Sequence, residues 1–279
     1  NPVDQELMAA SDRGVMHRYR LRMQDGQLHA DTLSSQRLIH PQHDASDGPA
    51  KLNAETLTWR PQAREPNASS SADTSLSDGE LLLAGEHGNA VLRLTPDGRA
   101  LGRLQWPSVV AAALSASADG GSRHGVEAIA WHAQHGLLAA LQRPVKVQRD
   151  VGQPDGDPAS VHWIHAESGA RWGFSAAGPH SHLKAIEARP DGSLLLLERV
   201  RQDDDPSLHT ILRFLDPATC GEARLCAAPL LPVQPAPIVG DENHEGLACT
   251  DSGTCWLVND GGPRGKRPTR LIQFRLVPR

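Results

Sequence analysis

A short pattern, a charged residue entering a strand-length apolar run, is written four times in this chain and restricts the fold more than any other property. The copies read Asn53-Ala54-Glu55-Thr56-Leu57-Thr58-Trp59, Gly125-Val126-Glu127-Ala128-Ile129-Ala130-Trp131, His182-Leu183-Lys184-Ala185-Ile186-Glu187 and Asn243-His244-Glu245-Gly246-Leu247-Ala248. Each leads through a polar turn into a second apolar run that ends in polar or charged residues. These runs are Leu81 to Glu86, Leu137 to Arg143, Leu194 to Arg199 and Trp256 to Asp260. Strand-length pieces repeating at an interval of about 55–75 residues predict a β-propeller or a related radial array.

The expected fold is all-β: a β-propeller with five recognisable repeats, hence five or six blades, spanning residues 1–279 as a single domain. The fifth repeat is the first in the chain. Glu6 to Gly14 reads as a second strand, and His17 to Met23 alternates as a third, turning at Asp25-Gly26. No opening strand of the Glu-Gly-Leu-Ala type precedes it, so this repeat is expected to be incomplete at the N-terminus. Third strands are expected at Val161 to Ile164, Thr210 to Leu215 and Arg270 to Leu276. The polar stretches Gln62 to Asp78 and Ser115 to His124 read as surface loops. With 25 Gly and 21 Pro in 279 residues, the composition suits many turns and few helices.

Composition also removes function classes. A net charge of −5 with both signs interspersed leaves no nucleic-acid footprint. No apolar stretch approaches the roughly 20 residues of a membrane helix, so no membrane span is expected. No Gly-x-Ser-x-Gly elbow is present to carry a serine hydrolase. The four cysteines form two close pairs, Cys220 with Cys226 and Cys249 with Cys255. Neither spacing is that of a zinc knuckle, and the second pair ends one strand and begins the next. Two local disulfides are expected, hence an oxidising compartment, periplasmic or secreted. The export signal that such a location needs is not at Asn1, and is expected to lie upstream of the sequence.

The ordered set Ser11-Asp12-Arg13-Gly14, Asn53-Ala54-Glu55, Gly85-Glu86-His87-Gly88, Gly125 to Ala130, Leu197-Glu198-Arg199, Glu245-Gly246-Leu247-Ala248 and Val258-Asn259-Asp260 resembles the phytase-like family, labelled "esterase-like activity of phytase". The resemblance covers nearly the whole chain in the right order, and implies a propeller, export from a bacterial cell and hydrolase or esterase-like chemistry. The name is also similar to that of the β-propeller phytases, which hold calcium on a carboxylate rim beside phosphate-gripping cations. Here the only acidic run is Asp203-Asp204-Asp205.

Repeat symmetry turns sequence positions into spatial ones. Glu55, Glu127 and Glu245 share the start of the first strand, with Lys184 in their place in one repeat. Asp12, Glu86, Glu198 and Asp260 align near the end of the second strand, where Gln142-Arg143 stands in the third repeat. Antiparallel neighbours bring both sets to one mouth of the channel. Seven converging carboxylates need compensation. Ca²⁺, held by Glu55, Glu86, Glu127, Glu245 and Asp260, would supply it, since this ion accepts six to eight oxygen ligands. Arg143, Lys184 and Arg199 would hold a small anionic or phosphorylated substrate. His87 and His244 are the candidate general acid or base. Arg13 belongs with these cations, and Trp59 and Trp131 read as core.

The leading expectation is a calcium-dependent phosphoesterase or phosphorylated-ligand binder, acting as a monomer. A non-catalytic binding propeller with structural metal is the first alternative, and a metal-dependent esterase or lactonase the second. Within that choice, Lys184 is either a salt-bridge lock or a substrate clamp.

Overall fold

The computed structural model describes residues 5–11, 14–25, 27–38, 54–62, 79–85, 90–117, 125–147, 159–178, 180–201, 208–221, 224–231, 243–261 and 269–276. The expectations for Asp12, Arg13, Glu86, His87, Asp203 to Asp205 and most of the 62–78 loop lie outside them. The described residues form five antiparallel sheets and one α-helix. The chain divides into two compact bodies, Asn1–Gln105 and Trp106–Arg279.

The first body holds two sheets. Sheet I is the meander β1 (Gln5–Ser11), β2 (Val15–Gln24) and β3 (Gln27–Arg37), with β1 on its edge. The turn expected at Asp25 is present, Gly26 itself lying outside the described residues: Gln24 pairs with Gln27, and Asp25 takes a positive φ of 52°. Sheet II is the meander β4 (Ala54–Pro61), β5 (Gly79–Gly85), β6 (Val91–Leu94) and β7 (Ala100–Arg103). Met16 and Leu38 pack with Ala54, Leu81, Leu83, Leu92 and Leu94, and Trp59 covers this core as a partly buried residue.

The second body holds three sheets in succession. Sheet III comprises β8 (Val126–His132), β9 (Gly136–Leu141), β10 (Val145–Val147), β11 (Ala159–Ala166) and β12 (Arg171–Ser175). Its order is β10-β11-β9-β8, with β12 also pairing with β11. Sheet IV is β13 (His182–Ala188), β14 (Leu194–Arg201) and β15 (Leu208–Leu215). Sheet V is β16 (His244–Cys249), β17 (Thr254–Asn259) and β18 (Leu271–Arg275). The opening strand β13 packs against both β8 and β16, so first strands stand side by side.

Sheet IV is buried on both faces, which explains why Leu194 to Leu197 does not alternate with polar residues. Leu194 and Leu196 join a core with Leu138, Ala140, Ile164 and Phe174 of sheet III. Leu197 turns the other way, into a core with Leu257 of sheet V.

The segment 224–231 seals two sheet edges. It pairs with β12 through Gly173 and Leu225 and with β15 through Arg213 and Leu230. The Cys220–Cys226 disulfide pins its start. Cys249–Cys255 crosses the β16–β17 hairpin at directly paired positions. Both bridges are those the spacing predicts.

A helix absent from the expected strand pattern, α1, runs from Ser108 to Ser117 and packs on β9 and β11. The Ala-rich run Val110-Ala111-Ala112-Ala113-Leu114 has high helix propensity, and the Pro107 carbonyl accepts from the N–H groups of Val110 and Ala111. The predicted loop at Ser115 therefore begins inside a helix.

Candidate functional site

In four of the five sheets the first strand carries a β-bulge near its start, and the extra residue is the one the repeat singled out. The register shifts between Ala54 and Thr56, Val126 and Ala128, Leu183 and Ala185, and His244 and Gly246. Glu55, Glu127, Lys184 and Glu245 are the residues left out of the ladder. A bulge releases its residue from the pleat and re-aims its side chain, often next to a functional site.

In the second body three of these residues meet. Lys184 is buried, and its Nζ donates to Glu127 Oε1 and pairs with Glu245 Oε1 at 3.0 Å. One ammonium thus ties the opening strands of sheets III, IV and V. Gln142 Nε2 also donates to Glu127 Oε1, at 2.8 Å, and the backbone joins sheets III and IV where Leu183 N–H donates to the Gln142 carbonyl. Burial pushes the Lys184 pKa down, but the Glu127 and Glu245 charges and the Glu127 hydrogen bond hold it above its ordinary value. Lys184 is therefore a lock between sheets.

The more open side of the cluster belongs to Arg199. Its side chain is 20% exposed and lies 3.7 Å from Glu245 Oε1. Nη1 donates to Asn243 Oδ1 and Nη2 donates to His182 Nδ1 at 2.8 Å. Accepting at Nδ1 leaves the proton of a neutral His182 on Nε2. Asn243 Nδ2 in turn donates to Glu245 Oε1 at 2.6 Å.

The other predicted residues are placed differently. Arg143 is exposed and makes no ion pair among the described residues. Asp260 is exposed, and its backbone N–H donates to the Asn243 carbonyl. Glu55 is half-buried on β4 in the first body. His244 is buried at 2% exposure beside Thr210, 3.0 Å from its hydroxyl, which does not suit a general acid or base at an open mouth.

Glu198 requires a correction. The bulge places it opposite Leu183, the position of Leu141 in sheet III and Asn259 in sheet V. Arg199, one residue on, is the equivalent of Gln142 and Asp260. A one-residue offset moves a side chain to the other face, so Glu198 points away from the Lys184 cluster into the interface between sheets III and IV.

There it is fully buried within a second network that sequence reasoning missed. Ser181 Oγ donates to Glu198 Oε1, and Ala177 N–H donates to the same oxygen at 2.8 Å. Arg213 Nη1 donates to Glu198 Oε2 at 3.0 Å and to the Ser175 carbonyl at 2.7 Å. His162 Nε2 lies 2.8 Å from Ser181 Oγ and 3.5 Å from Glu198 Oε1. The serine hydroxyl is spent on the carboxylate, and the Ser181 and His162 side chains are sealed from solvent, so this is not a hydrolase triad. The network's partners come from three different strands and a loop, and nothing in the repeat marks them.

Burial alone would raise the Glu198 pKa. The hydrogen bonds from His162, Ser181 and Ala177 and the His162 charge outweigh it and bring the pKa from an ordinary 4.5 to about 2. The folded carboxylate thus stays ionised where the unfolded one is already protonated. Its stabilisation is complete above pH 4.5 and is lost as the pH falls to about 2, by about 3 kcal/mol. Urea midpoints measured down this range are expected to fall steeply for the native protein and less so for Glu198→Gln.

Comparison with known proteins adds the family. No curated protein matches the chain. Among solved structures, virginiamycin B lyase from Staphylococcus aureus is 14% identical, with a TM-score of 0.36 over 92% of this chain and 78% of that one. A catalytically inactive histidine-to-alanine form of that enzyme with quinupristin is also 14% identical, with a TM-score of 0.35 over 98% of this chain and 99% of the other. Similarity this slight bears on neither fold closure nor activity. The family model is decisive: residues 1–262 match the phytase-like family, described as esterase-like activity of phytase, and the chain belongs to it.

Proposed function

We propose that the five sheets are blades of one β-propeller, and that this exported protein binds and hydrolyses a small anionic ester at one mouth of its channel. The observation that carries the reading is the repeated bulge, which sets a charged residue at one register position in four sheets. Family membership supports ester chemistry. The two disulfides support an oxidising compartment, and no described helix is long and apolar enough to cross a membrane.

In this reading the ligand meets the open side of the cluster. The Arg199 fork offers planar charged donors suited to a phosphate or carboxylate, and His182 Nε2–H lies on the imidazole that Arg199 orients. Arg143, free of an ion pair among the described residues, is the further cation available to an anion.

Calcium does not fit the Glu127–Glu245 part of the donor set. Both carboxylates already serve the Lys184 ammonium, and the described residues hold no group of three His, Cys, Asp or Glu able to take a metal. No step is routed through it.

A specific observation favours a second reading, a non-catalytic binding propeller: the buried charges of the cluster are already matched among themselves. An assay of p-nitrophenyl phosphate and p-nitrophenyl butyrate on EDTA-treated protein, with calorimetric binding in parallel, separates the two. The expected result is turnover, reduced about 10–100-fold in kcat/KM by Arg199→Ala with melting unchanged. Binding without turnover identifies the non-catalytic form, and an inert protein that binds neither ester rules out both.

A further inference from the structure

We infer that the Lys184 ammonium is the resident cation of the Glu127–Glu245 site, and that a divalent-cation site lies latent beneath it. The inference does not depend on the mouth being catalytic.

Three observations lead there. Glu127 and Glu245 come from different sheets, and each presents its Oε1 to the same nitrogen. A nitrogen within hydrogen-bond reach of both keeps those oxygens within about 6 Å of each other, close to twice the roughly 2.3–2.6 Å of a Ca–O bond. The second observation concerns the other Glu127 oxygen. Oε2 is buried, on a side chain only 2% exposed, and has no hydrogen-bond partner among the described residues. A buried carboxylate oxygen without a donor is costly, and a cation larger in coordination number than an ammonium would use it. The third is the neighbouring amide of Gln142, which already touches Glu127 Oε1 at 2.8 Å. Turned over, it offers a carbonyl oxygen to the same place.

Position gives the substitution its meaning. Lys184 occupies the bulge position that carries glutamate in sheets II, III and V. A lysine there supplies from within the chain a charge that would otherwise come from solution. Removing the ammonium exposes two carboxylates facing one gap, with Arg199 still beside Glu245 at 3.7 Å. A hard divalent ion answers that imbalance better than water or a monovalent ion.

The test is melting of native protein, Lys184→Ala and Lys184→Met in EDTA and in about 10 mM CaCl2. Alanine leaves room for an ion, whereas methionine fills the space. In EDTA both variants are expected to melt about 10 °C lower than the native protein. Calcium is expected to raise the alanine variant by about 3–5 °C more than the native protein, as a weak millimolar site would. The methionine variant and the double variant Lys184→Ala/Glu127→Gln should show no such gain. An alanine variant that folds and responds to calcium no more than the native protein overturns the inference. So does a native calcium response that Glu127→Gln abolishes, because a metal would then already sit there. Should the alanine variant stay unfolded in EDTA, refolding in CaCl2 supports the inference and failure to refold there, repeated with Lys184→Gln, counts against it.

Discussion

Replacing Glu198 with alanine is expected to destabilise the second body by about 3–5 kcal/mol, the range for removing one partner of a buried ion pair. The carboxylate is fully buried and is the meeting point of Arg213, Ser181, His162 and the Ala177 backbone. Without it the Arg213 guanidinium, 14% exposed, keeps its bonds to the Ser175 and Ala228 carbonyls but loses its counter-charge. Ser181 and His162 are left as buried polar groups facing a void. Urea unfolding near neutral pH checks this, and a loss under 1 kcal/mol would mean that water replaces the carboxylate.

Phe174→Ala is expected to cost a similar amount, about 3–5 kcal/mol, by a different route. Its ring is fully buried in the core between sheets III and IV, and alanine leaves a cavity that neighbours fill only partly. The ring also stacks on His162 with centroids 5.2 Å apart, and the Arg213 guanidinium lies over it at 5.3 Å. It is the apolar floor on which the Glu198 network rests. Because the two sites share His162 and Arg213, their costs should not add. The double variant is expected to show a coupling of about 0.5–3 kcal/mol. Simple additivity in a double-mutant cycle would separate the network from its floor.

How far the sequence could be read follows from what repeats. Glu55, Glu127, Lys184 and Glu245 were visible because each begins an apolar strand at one point of a recurring pattern, and the structure gives all four one register position. The cysteine pairs were visible because six-residue separations across a hairpin or tight turn leave few other arrangements. Glu198 was misaligned because acidic residues were matched to acidic residues. Leu194 to Leu197 is buried on both faces, so it offers no alternation from which to read which way residue 198 points. The bulge adds its own unrecorded residue to the count. His162, Ser181 and Arg213 were invisible because they belong to long-range packing between strands, with no local spacing to betray them. Helix α1 stands outside the recurring strand pattern, so only the propensity of its alanine run marks it in the sequence.

The bulge has a consequence for how such a chain can change. A residue within the pleat inherits its environment from its neighbours: changing its polarity pits solvent against core. The residue at the bulge stands outside the pleat, and in the second body its surroundings are the bulge residues of neighbouring sheets, as where Lys184 meets Glu127 and Glu245. Three sheets place glutamate there and one places lysine, while the flanking apolar residues, such as Val126 with Ala128 and Leu183 with Ala185, stay buried in either case. The sign of the charge at this point is thus a variable that the architecture leaves open. A sheet can exchange acid for base there without rewriting its strand, provided the bulge residues of its neighbours supply the opposite charge, as Glu127 and Glu245 do for Lys184.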